Sequence, residues 1–590
     1  MAQILFDQVR DFTGGLNFRA DQFQLKNNES PFIVNLDVDP RGGVFSRAGY
    51  KKKHATEVSG NWNPKLLFNY KHPTIPTIIL STGFVTAGSI DGKVYHSTGG
   101  DFSVLQESSG PTDLAVKSTN GASATTWQDE LYIALGASAT NMFKWEAGTA
   151  YATSLLASGP TWQPYQTPVG GYMPRAELVR AHANKLFCAN TFEDGTAYPN
   201  RIRWSHESSP ENWFQDDYID IIAGGEGIRG LAVVDGQLLI FKPKAIYLLM
   251  GYDADSFQLV ELSTNLGISF PQNVVEGTGG AYFFDYPGGL FFFNRNGIQG
   301  IFERLKPTID TNRINPLKLQ FVTLSYINDR LWMSAPFDFT TETTSSTSNP
   351  TGSAVDYPNV NFIYDPTIGA NGAFTMYQSA TWYGGAATPT SITGYGLVSG
   401  CDWTDSTGAF WFLMINPNTS FKHIMYVDNW DFTDDIPQNT KDDIPEDDDA
   451  GEYETLYTTS WFYDDRYVQD KTFVRSLYVV RPVDVSTEIR VDVYHDFNTE
   501  TPVTTHDIPL IPIVTGGIWG TGLWDTAEFG ESDLREGLRR GGRLKKAKAV
   551  QLKFIGPNVN IVGVNGPVGR QWGINSIAWK FKRRKVRSQK

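Results

Sequence analysis

Cysteine is nearly absent: of 590 residues only Cys188 and Cys401 carry thiols. Two cysteines close at most one bridge, so a disulfide scaffold is excluded, and their apolar, strand-like settings suit buried free thiols. Long apolar runs are missing too. No stretch approaches the roughly 18 apolar residues of a membrane-spanning helix, so no membrane insertion is expected. The opening MAQILFDQVRDF puts Asp7, Arg10 and Asp11 where a secretory leader would need its apolar core, and no leader is expected. These absences describe a soluble chain made in a reducing compartment. Charged residues are 19% and hydrophobic ones 41%, a balance that buries a large core and excludes disorder throughout. Helix is scarce, because 56 Gly and 31 Pro interrupt any long one. The one helix expected runs from Ser532 to Arg540 and ends at Gly541-Gly542.

Catalytic and ligand motifs are lacking in the same way. Gly225-Glu226-Gly227-Ile228-Arg229-Gly230 matches the dinucleotide fingerprint, but Leu231 to Val234 continues as a strand where that site needs a helix N-terminus. Gly516 to Gly522 is a glycine-rich loop without the Lys-Ser/Thr of a phosphate-binding loop. The eight histidines are scattered, with no HExxH and no CxxC, so no zinc site is expected. No GxSxG nucleophile elbow occurs, and a lone histidine such as His182 reads as structural. Asp447-Asp448-Asp449-Ala450-Gly451 offers hard oxygen ligands but not the spacing of a calcium loop. The expectation is a protein without catalytic residues, cofactor or metal.

What is present is charge, sorted by region. The net charge is −14. Residues 428–454 hold twelve carboxylates and one lysine, leaving −3 for the rest. Pro437 and Pro445 make that stretch read as a solvated linker. The far end is basic: Lys580, Lys582, Arg583, Arg584, Lys585, Arg587 and Lys590 fall within the last eleven residues. They are candidate partner-binding residues, able to dock on an acidic neighbour or on phosphates.

Short strands led by Leu, Val or Phe recur behind turn residues at Asp91-Gly92-Lys93-Val94, Asp129-Glu130-Leu131, Asn184-Lys185-Leu186 and Asp235-Gly236-Gln237-Leu238. The pattern returns at Gly288-Gly289-Leu290, Asn328-Asp329-Arg330-Leu331 and Gly408-Ala409-Phe410. Asx-Gly and Gly-Gly supply the positive φ of tight hairpins. A period of roughly 40–50 residues built of short strands predicts propeller blades; a string of unrelated hairpins in a sandwich is the alternative. The fold expected is all-β: a β-propeller of six to eight blades, seven preferred, plus a second β-sandwich-like domain. The Ser/Thr run Thr340 to Ser353 reads as an insertion in one blade. Period-2 alternation at Glu488-Ile489-Arg490-Val491-Asp492-Val493 and Ala549 to Phe554 marks the second domain. The boundaries are an N-terminal strap over 1–59 that packs on the β-domains, the propeller over 60–430, the acidic linker over 431–454, the platform domain over 455–582 and the basic tail over 583–590.

The strap carries Phe12-Thr13-Gly14-Gly15-Leu16-Asn17, Asn28-Glu29-Ser30-Pro31, Asn35-Leu36-Asp37-Val38-Asp39-Pro40-Arg41-Gly42-Gly43-Val44 and Arg47-Ala48-Gly49-Tyr50. It resembles the strap that precedes the propeller in tail nozzle, hub or tubular proteins of short-tailed bacteriophages. A second stretch, from Arg203-Trp204-Ser205 and Pro210-Glu211-Asn212-Trp213 through Phe293-Asn294-Arg295-Asn296-Gly297-Ile298, is similar to the propeller of the same proteins. The resemblance covers about residues 10–50 and 200–300. The strap lacks the Gln-Gln-Pro motif of one subgroup. The resemblance implies a structural virion protein, a homo-oligomeric ring of six at the distal end of the tail, assembled in the host cytoplasm. It implies an adaptor protein above, spikes or fibres outside, and genomic DNA passing through the lumen without sequence-specific binding. A glycan-binding or glycan-degrading propeller is the alternative, and a receptor-binding fibre is a third class.

Overall fold

The computed structural model describes residues 4–583 except 156–172, 338–357, 379–396, 415–423, 436–449, 511–536, 557–571 and shorter stretches. Seven antiparallel four-stranded units follow one another. The first runs Pro64–Tyr70, Thr77–Thr82, Gly92–Ser97 and Ser103–Val104, and the second Ser123–Trp127, Glu130–Ala134, Met142–Trp145 and Thr153–Leu155. The third is Arg175–His182, Lys185–Glu193, Thr196–Trp204 and Tyr218–Asp220; the fourth is Gly230–Val234, Gln237–Lys242, Ala245–Met250 and Gln258–Ser263. The fifth comprises Val274–Gly277, Gly280–Asp285, Gly289–Asn294 and Gly297–Gly300, and the sixth Thr323–Ile327, Arg330–Ala335, Val360–Asp365 and Ala373–Tyr377. The seventh takes Gly400–Thr404, Ala409–Met414 and Ile424–Asp428 from its own region and its outer strand, Gly49–Lys52, from the strap.

The first strands of successive units touch in order, and Gly400–Thr404 touches Pro64–Tyr70. The ring closes at seven blades, so this is a seven-bladed β-propeller. Each gap between blades has its own apolar cluster, from the one joining blades one and two around Leu131 and Trp145 to the one joining seven and one around Trp403, Tyr95 and Ile424. Blades are buried on both faces, so their strands are apolar without alternation: Leu238, Leu239, Ile240 and Phe241 are all fully buried.

Five of the seven turn motifs mark the second strand of a blade. The motifs at Val94 and Leu290 mark third strands instead, because the turns between second and third strands use the same glycine chemistry. At the second-strand hairpins, Ala183-Asn184, Asp235-Gly236 and Asn328-Asp329 all have positive φ, the two-residue turns that match strand twist. The Ser/Thr run lies between the second and third strands of blade six, outside the described residues.

Beyond the propeller, two sheets enclose one core. One has Gly537–Arg540, Lys471–Val480, Gly573–Arg583, Val44–Ser46 and Leu36–Val38 in order, with Ile4–Val9 on Gly573–Arg583. The other extends blade six through Phe32–Val34 into Thr455–Thr458, Val550–Gly556, Thr487–His495 and Thr504–Leu510. Ile489, Val491, Val493, Phe554, Tyr478 and Trp579 of the two sheets share the core, which makes a β-sandwich. The expected helix over 532–540 is corrected here: Gly537–Arg540 is a strand paired with Lys471–Val480, Leu477 opposite Arg540. The sheet satisfies those backbone groups, and 532–536 lie outside the described residues.

The strap does more than pack on the domains. It donates strands to the sandwich and to blade seven, and Phe32–Val34 joins the two across blade six, with Val34 opposite Met376. The acidic stretch is described at Asp434–Asp435 and Ala450–Gly451, which pair with each other.

Candidate functional site

The basic residues singled out in the sequence divide at Arg583. Lys580, Lys582 and Arg583 belong to the strand Gly573–Arg583, where Lys580 lies opposite Phe6 and Lys582 opposite Ile4. Their backbone is therefore part of the sandwich and is no free tail. Arg584, Lys585, Arg587 and Lys590 lie outside the described residues.

The strap motifs fall where the strap meets blade six, the sandwich and, at Gly49-Tyr50, blade seven. Gly15 has φ +63, and a Cβ there would lie 2.8 Å from the Phe374 carbonyl oxygen, while one on Gly14 would lie 2.5 Å from that of Asn28. Only glycine lets the backbones come this close. Asn35, at φ +56, uses its side-chain oxygen twice: it accepts from Arg47 Nε at 2.9 Å and from the Gln378 amide at 2.8 Å. Arg47 is 1% exposed. Its other nitrogens donate to the carbonyls of Ala48 at 2.7 Å and Gln378 at 3.1 Å, and its guanidinium lies 4.1 Å from the centre of the Tyr50 ring. Two residues on, Asp37 accepts from Arg330 Nη1 at 2.8 Å and from the Tyr377 hydroxyl. Arg330 also pairs with Asp365 at 3.4 Å, and the two carboxylates hold its ionisation well above the usual range.

A second constellation lines the propeller axis. The first strands of all seven blades surround a cavity of about 440 Å³. Cross-links span it: Arg180 of blade three pairs with Glu276 of blade five, and Gln272 Nε2 donates to the Asn120 carbonyl at 2.6 Å. Asp402 accepts from the Asn328 amide at 3.1 Å, and burial raises its carboxyl above the usual range. Cys401 also lines the cavity, and burial pushes its thiol far up, so it stays protonated. Cys188 is a buried free thiol. Lys65 is 8% exposed, and desolvation lowers its ammonium to about 8.

Sequence reasoning did not find this lining. Lys65 stands in Pro64-Lys65-Leu66-Leu67-Phe68 and Glu276 in Val274-Val275-Glu276, where a charge reads as the wet face of a strand. A further network missed is in blade three: Glu193 pairs with Arg201 at 3.0 Å and with Arg203 at 2.9 Å. Arg201 also pairs with Asp220 at 2.8 Å and lies between the rings of Tyr198 and Tyr218. Every member of it is partnered, so it stiffens the blade. His182 is buried and neutral, with burial lowering it to about 4. Among the described residues no group of three His, Cys, Asp or Glu side chains is placed to hold a metal. Gly225 to Gly230 runs through bends into the strand Gly230–Val234, with no helix there.

No family model and no curated protein matches this chain. Among solved structures it is similar to YCF48 from Cyanidioschyzon merolae, at 11% identity over 64% of this chain and 99% of that one, TM-score 0.33. It is similar to a chain of the mitotic checkpoint complex at 11% identity over 63% and 96%, TM-score 0.32. BBS1N in complex with ARL6DN matches at 8% identity over 65% and 97%, TM-score 0.32. Likeness this low carries no argument; the blade count rests on the ring of strands itself.

Proposed function

We propose that this chain is a structural subunit without catalytic turnover, the repeating unit of a homo-oligomeric ring at the distal end of a phage tail. In this reading it forms a nozzle or hub that carries an adaptor and spikes or fibres and encloses the path of the exiting DNA. The supporting observation is the place of the resemblance-bearing residues. Gly14-Gly15, Asn35, Asp37 and Arg47 are the residues that bind the strap to blade six and to its own backbone. The strap motifs that look like those of tail proteins share one mechanical task in this reading, to hold the strap, and the sandwich strands it contributes, firmly on blade six. A subunit bearing load around a channel needs that rigidity, and a ring needs heterologous contacts whose rotation closes. Phosphate contacts hold DNA strongly, so a subunit of net charge −14 suits passage over retention.

The test is native mass spectrometry of the purified assembly with electron microscopy of the same sample. Six subunit masses and a pore wide enough for duplex DNA, about 20 Å across its two grooves and backbones, are expected. A persistent monomer, or sugar release from host glycan abolished by one carboxylate substitution, overturns the reading.

A further inference from the structure

The axial cavity contains a buried cation that the fold goes to some length to place. Lys65 sits at an irregularity in the pairing of Pro64–Tyr70 with Thr77–Thr82, between Pro64 opposite Thr82 and Leu66 opposite Ser81. Such a bulge re-aims one side chain, and bulges gather at functional sites. Two glycines make room for the stem. A Cβ on Gly121, at φ +84, would lie 2.6 Å from Lys65 Cβ, and one on Gly83 would lie 3.1 Å from Lys65 Cγ. The ammonium lies 5.0 Å from the centre of the Phe321 ring.

No carboxylate among the described residues pairs with it. The carboxylates and the arginine that share the cavity wall are engaged elsewhere, and the other lysine of the wall, Lys71, is exposed. Glu177 accepts from the Ser118 hydroxyl and from Asn120 Nδ2 at 3.4 Å and the Ala137 amide at 3.4 Å. Arg180 and Glu276 hold each other, and Asp402 takes the Asn328 amide. Gln272, whose Nε2 is committed to Asn120, leaves Oε1 buried without a partner on the same wall. A buried charge without a counter-ion is strongly unfavourable, and a ring face offsets only a small part of that. The cavity, about 440 Å³, falls in the range of about 300–1,000 Å³ typical of small-molecule sites.

We propose that the axial cavity of the propeller binds a small organic anion, a carboxylate or a phosphate ester, whose charged group pairs with Lys65. The unpaired amide oxygen of Gln272 adds an acceptor to the wall, which favours an anion that also carries a hydroxyl. The site is independent of ring assembly, since a single chain supplies the whole lining.

The test follows thermal unfolding of the full chain with inorganic phosphate, glucuronate and glucose 6-phosphate, against glucose and sodium chloride at matched ionic strength. At least one of the anions is expected to raise the midpoint with concentration while the two controls do not, and the ranking of glucuronate against glucose 6-phosphate tells carboxylate from phosphate. Lys65→Met keeps the length of the side chain and removes its charge. It should weaken anion binding by at least tenfold, about 1.4 kcal/mol, and without anion it should melt higher than the parent because an unpaired charge is gone. The proposal fails if none of the three anions shifts the midpoint beyond the salt control. It also fails if the shift survives Lys65→Met, or if Lys65→Met melts lower than the parent in the absence of anion, since the ammonium would then be structural.

Discussion

Glu193 holds two guanidinium groups inside blade three, Arg201 and Arg203, both buried. Glu193→Gln removes the carboxylate that the two share, leaving Arg201 with Asp220, and breaking a buried pair from one side costs about 3–5 kcal/mol. Urea denaturation should show a loss of that size, whereas Glu226→Gln, on an exposed pair with Arg229, should change little. His182 gives a prediction in pH. Burial lowers its folded ionisation to about 4 from an ordinary 6.5, so the unfolded chain takes up a proton that the folded one refuses. Its contribution is fully present above about pH 6.5 and is lost as pH falls toward 4, with a slope of at most about 1.4 kcal/mol per unit. Stability measured against pH should flatten over that window in His182→Phe, which keeps an aromatic beside Phe187; an unchanged slope would remove His182 from the acid response. At this scale the sequence was least legible. The same lysine letter stands for a solvated Lys71 and for the buried Lys65, and what separates them is a bulge and two glycines contributed by distant loops.

Among the elements, hairpins were readable and long-range partners were not. Positive φ at Asp235-Gly236 or Asn328-Asp329 is imposed by the turn itself, so Asx and Gly announce it locally. That signal cannot say which hairpin of a blade it belongs to, which is why Val94 and Leu290 fell out of phase. The outer strand of blade seven had no local signal: Gly49–Lys52 pairs with Ile424–Asp428, Lys51 opposite Tyr426, across most of the propeller sequence. The strand Gly537–Arg540 was hidden for the same reason, its edge pairing being set by Val480 and Leu477. The strap gives its own test. Gly15→Ala puts a Cβ into a left-handed backbone and against the Phe374 carbonyl, and it should destabilise the protein by more than about 1 kcal/mol. Hydrogen exchange should then rise first in Ala373–Tyr377; exchange altered elsewhere but not there would show that the strap does not brace blade six.

The whole molecule is two architectures with one continuous sheet between them, blade six running through Phe32–Val34 into the sandwich. Units of this size commonly melt in separate steps. Here a strand shared by both means neither can open its edge without exposing the other's. Calorimetry should give one transition, and Arg47→Met, which removes the buried hydrogen bonds to Asn35, Ala48 and Gln378, should lower that transition as a unit. Two resolved transitions in the parent protein would contradict the coupling. The all-β class, a propeller of six to eight blades with seven preferred, and the second β-domain were legible from turn chemistry and strand period, since these are set within a few residues. The weave of the strap depends on contacts hundreds of residues apart.

That weave also fixes an order of events during synthesis. Ile4–Val9 leaves the ribosome more than five hundred residues before the strand it lies against, Gly573–Arg583. Gly49–Lys52 likewise waits for Ile424–Asp428 before it has a neighbour. Blades one to five can form as they emerge, each from its own stretch of chain, while the strap strands Ile4–Val9, Phe32–Val34 and Gly49–Lys52 wait for their partners, with open backbone edges of the kind that recruit other chains. The finished fold is a late event, slow because its last contacts are the most distant ones. A nascent chain halted before residue 573 should present a formed propeller core and a protease-sensitive segment around Ile4–Val9 that becomes resistant only once Gly573–Arg583 has emerged.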